Sequence, residues 1–267
     1  MNQPDILKKI TDRTREDLSE QKSKVPLAEL KARLEDHDTP VSNLLETLQD
    51  QKKRNCMGLI AEYKNTSPSA GQLDEQSDPD RIFQAYAKSA ADALSIVTEP
   101  HFFHGDLGLL TRAHTHTTKP LLRKDFIVDE YQVYESRLLG ADAILLISRI
   151  LSAGHLDELQ SLAHSLGMSC LVEAHDENDI RQIIDSDAPL AGINTRNLTD
   201  FTVDLAMFER LAPLFPSETL LVALSGISTP EDVSRVRTAG AHAVLVGTSL
   251  MKSSDIGNSI HTLKAVP

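Results

Sequence analysis

The sequence contains no tryptophan, only two cysteines and few aromatic rings: 4% of its 267 residues. Stacking platforms for single-stranded nucleic acid depend on such rings, which argues against that mode of binding. Positive charge is also scarce. Against 39 Asp and Glu stand 27 Lys and Arg, a net charge of −12, so the basic face of a nucleic-acid binder is missing. A small anion is still admissible, because a few Lys, Arg and backbone N–H groups suffice to hold it. Cys56 and Cys170 are too few for a disulfide framework and have no metal-ligand spacing. Each is read as sitting in an apolar stretch, so both are expected as buried free thiols in a cytoplasmic protein. No apolar run is long enough to span a bilayer. The first residues mix acids and bases and carry no apolar core, so they read as an amphipathic helix with Ile6, Leu7 and Ile10 on one side rather than a targeting peptide.

What is present is ordinary globular composition, 40% apolar and 25% charged with 12 Gly and 12 Pro, which excludes disordered, collagen-like and coiled-coil classes. After about fifty residues the chain settles into a rhythm of short apolar runs, loops and helix-period segments. The runs Met57–Glu62, Ala93–Val97, Pro120–Arg123, Ala143–Ile147, Ser169–Glu173, Leu190–Asn194, Leu220–Leu224 and Ala243–Val246 are expected as strands. Near-continuous Val, Ile and Leu fit strands buried on both faces of a parallel sheet. Asp78-Pro79 and Thr229-Pro230-Glu231-Asp232 read as capped helix starts. Eight β–α units in a row predict a (β/α)₈ TIM barrel over residues 1–267 as a single domain, with 1–52 as an N-terminal helical extension packed on it. Pro26 and Pro40 divide that extension into three short helical stretches. An open doubly wound sheet would need a GxGxxG turn after the first strand, and there is none.

Chemistry in such a barrel belongs at the C-terminal ends of its strands. There the sequence places Glu62 and Lys64, Thr98-Glu99, Lys124, Ser148-Arg149, Glu173, Asn194 and Arg196, Ser225-Gly226, and Gly247-Thr248. Glu62 and Lys64 are two residues apart, so their side chains face the same way on a strand and can pair. Lys124 and Glu173 come from different strands, as a general acid and a general base held apart would. The last two strand ends join small residues to helix starts, which suits a phosphate group. His114 and His116 are read as surface histidines, and no metal site is expected.

The segments GlyLeuIleAlaGluTyrLysAsnThrSerProSer (58–69), LeuSerIleValThrGluProHisPhePheHisGly (94–105), LeuArgLysAspPheIle (122–127) and LeuValGluAla (171–174) resemble, in order, those of the indole-3-glycerol-phosphate synthase family of tryptophan biosynthesis. GlyIleAsnThrArgAsnLeu (192–198), SerGlyIle (225–227) and LeuValGlyThrSerLeuMet (245–251) continue the resemblance, which runs from about residue 5 to 265. It implies a cofactor-free carboxy-lyase that closes the ring of 1-(2-carboxyphenylamino)-1-deoxyribulose 5-phosphate, with loss of carbon dioxide and water. By resemblance Lys124 is the general acid, and Lys64, paired with Glu62, binds the carboxylate or serves the second proton step. Glu173 is the base, helped by Asn194. Arg196, Ser225 and Phe103 contact substrate, and Ser67, Gly226, Gly247 and Thr248, with Ser225, hold the phosphate. The partners implied are the phosphorylated small molecule and, at most, other enzymes of the same pathway; no nucleic acid and no membrane are expected. Leu224 departs from the resemblance, which expects Glu there; whether residue 224 faces the mouth depends on strand register. Asn65 stands where a basic residue is common. Two other readings stay open: another phosphosugar-handling TIM-barrel enzyme, and a weakly active or binding-only relative.

Overall fold

The computed structural model describes residues 6–35, 40–67, 71–72, 78–197 and 202–266, with residues 67, 71 and 72 described in backbone only. Eight strands carry the architecture: β1 (Gly58–Tyr63), β2 (Ala93–Val97), β3 (Leu121–Lys124), β4 (Ala143–Ile147), β5 (Ser169–Ala174), β6 (Leu190–Asn194), β7 (Leu220–Leu224) and β8 (Ala243–Val246). All pair in parallel with their sequence neighbours, and β1 pairs with β8 to close the barrel. The expected (β/α)₈ TIM barrel is therefore the observed fold. Strand limits differ from expectation by one residue at β1, β3 and β5.

Period-two alternation sorts each strand. Ile60, Leu122, Leu145, Leu171, Val222 and Leu245 fill the barrel interior. Leu59, Ile96, Ile144, Val172, Ile193 and Val244 face the helical layer. Both faces are apolar because both are covered.

Three helices precede β1: α1 (Ile6–Lys24), α2 (Leu27–Glu35) and α3 (Leu44–Lys53). Between and after the strands lie α4 (Pro79–Lys88), α5 (Gly108–His114), α6 (Glu130–Leu138), α7 (Ala153–Ser165) and α8 (Glu177–Asp185). The last four are α9 (Leu205–Leu211), α10 (Pro230–Thr238), α11 (Thr248–Met251) and α12 (Ile256–Lys264). Asp78 caps α4 ahead of Pro79, and Thr229 with Asp232 forms a reciprocal capping box on α10.

The first three helices reach both ends of the barrel. Leu44 and Leu48 of α3 are fully buried among the interior residues, where they close the floor opposite the mouth. Helix α1 lies nearer the mouth: Lys22 pairs with Asp129 beyond β3, and Asp17 contacts His101 beyond β2. Leu7 and Ile10 are buried on the inner side of α1, whereas Ile6 is only half-buried.

One expectation fails in this region. Cys170 is buried, but Cys56 is exposed. Helix α3 ends at Lys53, Asn55 turns with φ +55°, and β1 starts only at Gly58. Cys56 thus lies on the connecting turn, outside the apolar strand it precedes.

Candidate active site

Eleven of the expected site residues, all but Ser67, line one cavity of about 440 Å³ at the C-terminal mouth of the barrel. Ser67 belongs to a two-residue strand in the loop after β1, paired antiparallel with Gly71–Gln72; its side chain lies outside the described residues.

Glu62 and Lys64 meet as their spacing predicts, with Lys64 Nζ donating to Glu62 Oε1 at 2.6 Å. The side chains are 5% and 14% exposed, so the pair is screened from water. Burial pushes the Glu62 carboxyl up, but Lys64, Lys124 and Arg196 outweigh it and hold the group below its ordinary value. Arg196 is pulled down by its own burial, against the attraction of Glu62. The Tyr86 hydroxyl donates to the Glu62 carbonyl at 3.0 Å and anchors the strand end from behind. Glu62 is therefore an anion at the centre of three cations.

On the other side of the mouth stands Glu173, 2% exposed. Asn194 Nδ2 donates to its Oε1 at 3.1 Å, while Asn194 Oδ1 accepts the N–H of Arg196 at 3.1 Å. That fixed amide orients the carboxylate. The second oxygen, Oε2, is buried with no hydrogen-bond partner.

The turns after β7 and β8 form the small-residue end. Ser225 and Gly226 have φ of +66° and +78°, and Thr195 Oγ1 donates to the carbonyls of Leu224 and Ser225 at 3.2 Å each. A Cβ at Gly226 would strike Val203, so both shape and backbone demand glycine there. Gly247 leads into α11 with Thr248 as its first residue. The helix start of α10, by contrast, is already occupied. Asp232 Oδ2 accepts the N–H groups of Ser228 and Thr229, both at 2.9 Å, so those amides are not available to a phosphate. An anion at this end is left to the Gly226 turn and to Gly247-Thr248. Lys252, exposed just beyond α11, lines the same end, and the sequence reading missed it.

Between the two polar ends runs an apolar wall. Phe103 and Phe126 have ring centroids 6.2 Å apart and both face the cavity. Glu99 holds the Phe103 loop: its carboxylate accepts the N–H groups of His101, Phe102 and Phe103 at 2.9, 2.7 and 2.9 Å. Phe126 and this use of Glu99 went unrecognised in the sequence, although Glu99 stands at a strand end. Leu224 faces inward, 1% exposed, into the room left by Gly192 on the next strand. The register thus makes residue 224 a lining residue, and the departure from the resemblance falls inside the site. Among the described residues no group of three His, Cys, Asp or Glu is placed to hold a metal ion.

The arrangement can hold an anion at one end and a flat apolar group against the Phe and Leu wall. Lysines and a carboxylate converge on what lies between.

Comparison with known proteins agrees with these features. The family model described as indole-3-glycerol phosphate synthase matches residues 7–263. A curated protein of that name from Campylobacter curvus is 40% identical over 259 residues, covering 97% of this chain and 99% of its own. Another from Dehalococcoides mccartyi is 44% identical over 261 residues, with the same coverage. Among solved structures, 3-hexulose-6-phosphate synthase from Salmonella typhimurium superposes with a TM-score of 0.62 at 15% identity, covering 79% of this chain and 98% of its own. Thiamine phosphate pyrophosphorylase from Pyrococcus furiosus gives 0.56 at 14%, covering 80% and 96%. At such identities these two speak for the barrel fold alone.

Proposed function

This chain belongs to the indole-3-glycerol phosphate synthase family, and we propose from that premise how its cavity performs a decarboxylative ring closure. The enzyme is a carboxy-lyase acting on 1-(2-carboxyphenylamino)-1-deoxyribulose 5-phosphate. Lys124 donates a proton to the ketone oxygen as the ring carbon bearing the carboxylate attacks the ketone carbon. The C–C bond to the carboxylate then breaks, carbon dioxide leaves and the ring regains its aromaticity. The new hydroxyl departs as water, with a lysine supplying the proton and Glu173 taking the proton lost from the neighbouring carbon. Lys64, held by Glu62, faces the substrate carboxylate. Arg196 lines the same rim, Phe103 covers the aromatic ring, and Ser225, Gly226, Gly247 and Thr248, with Ser67, receive the phosphate.

The observation that carries this reading is the convergence of Lys64, Lys124 and Glu173, from three separate strands, on one cavity with a glycine turn at its far end. The whole chain acts as one domain in this reading, with 1–52 as its extension. No helix among the described residues is long and apolar enough to cross a membrane. We place the reaction in the cytoplasm, where two free thiols are at home, and contact with other enzymes of the pathway belongs to the same reading.

The test adds the ribulose phosphate substrate to purified protein and follows indole fluorescence. Lys124→Ala should lower kcat by on the order of 10²–10⁴ while leaving the melting temperature nearly unchanged. No indole product from the wild type would overturn the activity, and an undiminished kcat in the variant would remove Lys124 from the chemistry.

A further inference from the structure

One buried group beside the cavity has no part in the steps above. His175 is the first residue beyond β5, two after Glu173, so strand alternation turns both side chains the same way. The ring is 5% exposed, and neither of its nitrogens has a hydrogen-bond partner. Its Nε2 lies 3.4 Å from Glu173 Oε1, just beyond normal hydrogen-bond length. On the far side Nδ1 lies 4.0 Å from Asp179 Oδ2 in the first turn of α8. Asp179 Oδ2 is already engaged elsewhere. Oδ2 accepts the His175 backbone N–H at 2.7 Å and the Arg149 Nε and Nη2 groups at 3.1 and 2.9 Å. Arg149 and Asp179 thus clamp the backbone that carries the imidazole, and the imidazole leans on Glu173.

A buried imidazole left without partners on both nitrogens is costly, and native structures rarely keep one without a use for it. Of the two carboxylates facing the ring, Glu173 is the nearer, and its Oε1 takes one N–H from Asn194. Catalytic hydrogen bonds commonly tighten only when substrate is bound.

We propose that His175 is a positioning residue for Glu173, donating Nε2–H to Oε1 and thereby directing Oε2 into the cavity as the atom that takes the proton. This rests on Glu173 being the base. Four charged groups face the ring: Glu173 from β5, Asp179 from α8, Arg149 from the turn after β4, and Lys124 from β3. Burial dominates them and pushes the imidazole below its ordinary value, so near neutral pH it carries a single proton and no charge. During turnover Glu173 gains one proton on Oε2 and releases it to solvent with product, and His175 neither gains nor loses one.

The experiment compares pH–rate profiles of the wild type, His175→Ala, His175→Gln and Glu173→Gln. Removing the donor makes the Glu173 carboxylate easier to protonate, so His175→Ala should move the acid limb of kcat up by about one pH unit. Its kcat should fall about tenfold, with KM little changed. His175→Gln places an N–H donor near the Nε2 position and should return the limb toward wild type. In the wild type, imidazole nitrogen chemical shifts should report the Nε2–H form, which keeps the proposal testable if the alanine variant folds poorly. An Nδ1–H form, or an unmoved limb in His175→Ala, would overturn it. If Glu173→Gln keeps its activity, the assignment of Glu173 as base is what fails. If Glu173→Gln is inactive while the His175 limb stays put, only the positioning role fails.

Discussion

Replacing Gly247 by alanine separates two uses of that residue. Its φ is −126°, outside the left-handed region that favours glycine, so the cost of a side chain there is read from its contacts. A Cβ there would collide with Glu62 Oε1 and come within 3.1 Å of both the Glu62 carboxyl carbon and Lys64 Nζ. Glu62 cannot swing into solvent, because its side chain is 5% exposed. The direct relief is to separate the pair, from 2.6 Å to about 4 Å. At an effective dielectric constant near 20, Coulomb's law gives about 6 kcal/mol at the shorter distance and about 4 kcal/mol at the longer. The difference, about 2 kcal/mol, corresponds to about a thirty-fold fall in kcat if it is felt in full at the transition state. Overpacking also lowers the melting temperature by a few degrees. The assay is indole fluorescence at saturating and limiting substrate, alongside a thermal melt. In a Glu62→Gln background the same alanine should cost far less, since the ion pair is already gone. Two results would refute the reasoning: a loss confined to KM, which would mean the methyl blocks the anion instead, or fully additive losses in the double variant.

Leu224→Glu places a carboxylate in the cavity that holds Lys64 and Lys124. An added anion raises a lysine pKa, so the alkaline limb of the pH–rate profile should move up and kcat should rise; a variant that melts lower and is no faster would show that the barrel has repacked around leucine. His242 offers a stability test away from the mouth, since its Nδ1 accepts the Leu221 N–H at 3.0 Å and burial, with Lys52, pushes the ring down to about 4. A depressed histidine binds its proton more readily when unfolded, so its stabilisation is complete above pH 6.5 and fades as pH falls toward 4. His242→Gln should flatten the decline of melting temperature across that window, and an unchanged slope in a pH series of melts would count against it.

What the sequence determined by itself is the part that rests on short-range order. Eight apolar runs with helices between them specify a closed parallel barrel, because each strand is buried on both faces and each crossover needs a helix. Asp78, Thr229 and Asp232 cap helices through hydrogen bonds spanning two or three residues, which a local reading can see. The same holds for Glu62 and Lys64, which period two puts on one face. The tertiary structure decided whatever depends on the register of neighbouring strands or on distant partners. Leu224 faces the cavity because β7 pairs with β6 at Asn194 and finds room at Gly192. The α10 start, attractive as a phosphate site in the sequence, is taken by its own Asp232. Cys56 is exposed because α3 must turn before β1 can begin, so an apolar neighbourhood in sequence is not one in space. His175 carries no mark in the sequence beyond its distance of two from Glu173. Arg149 and Asp179 reach it only once the segments after β4 and β5 are brought side by side, and closing the barrel is what does so.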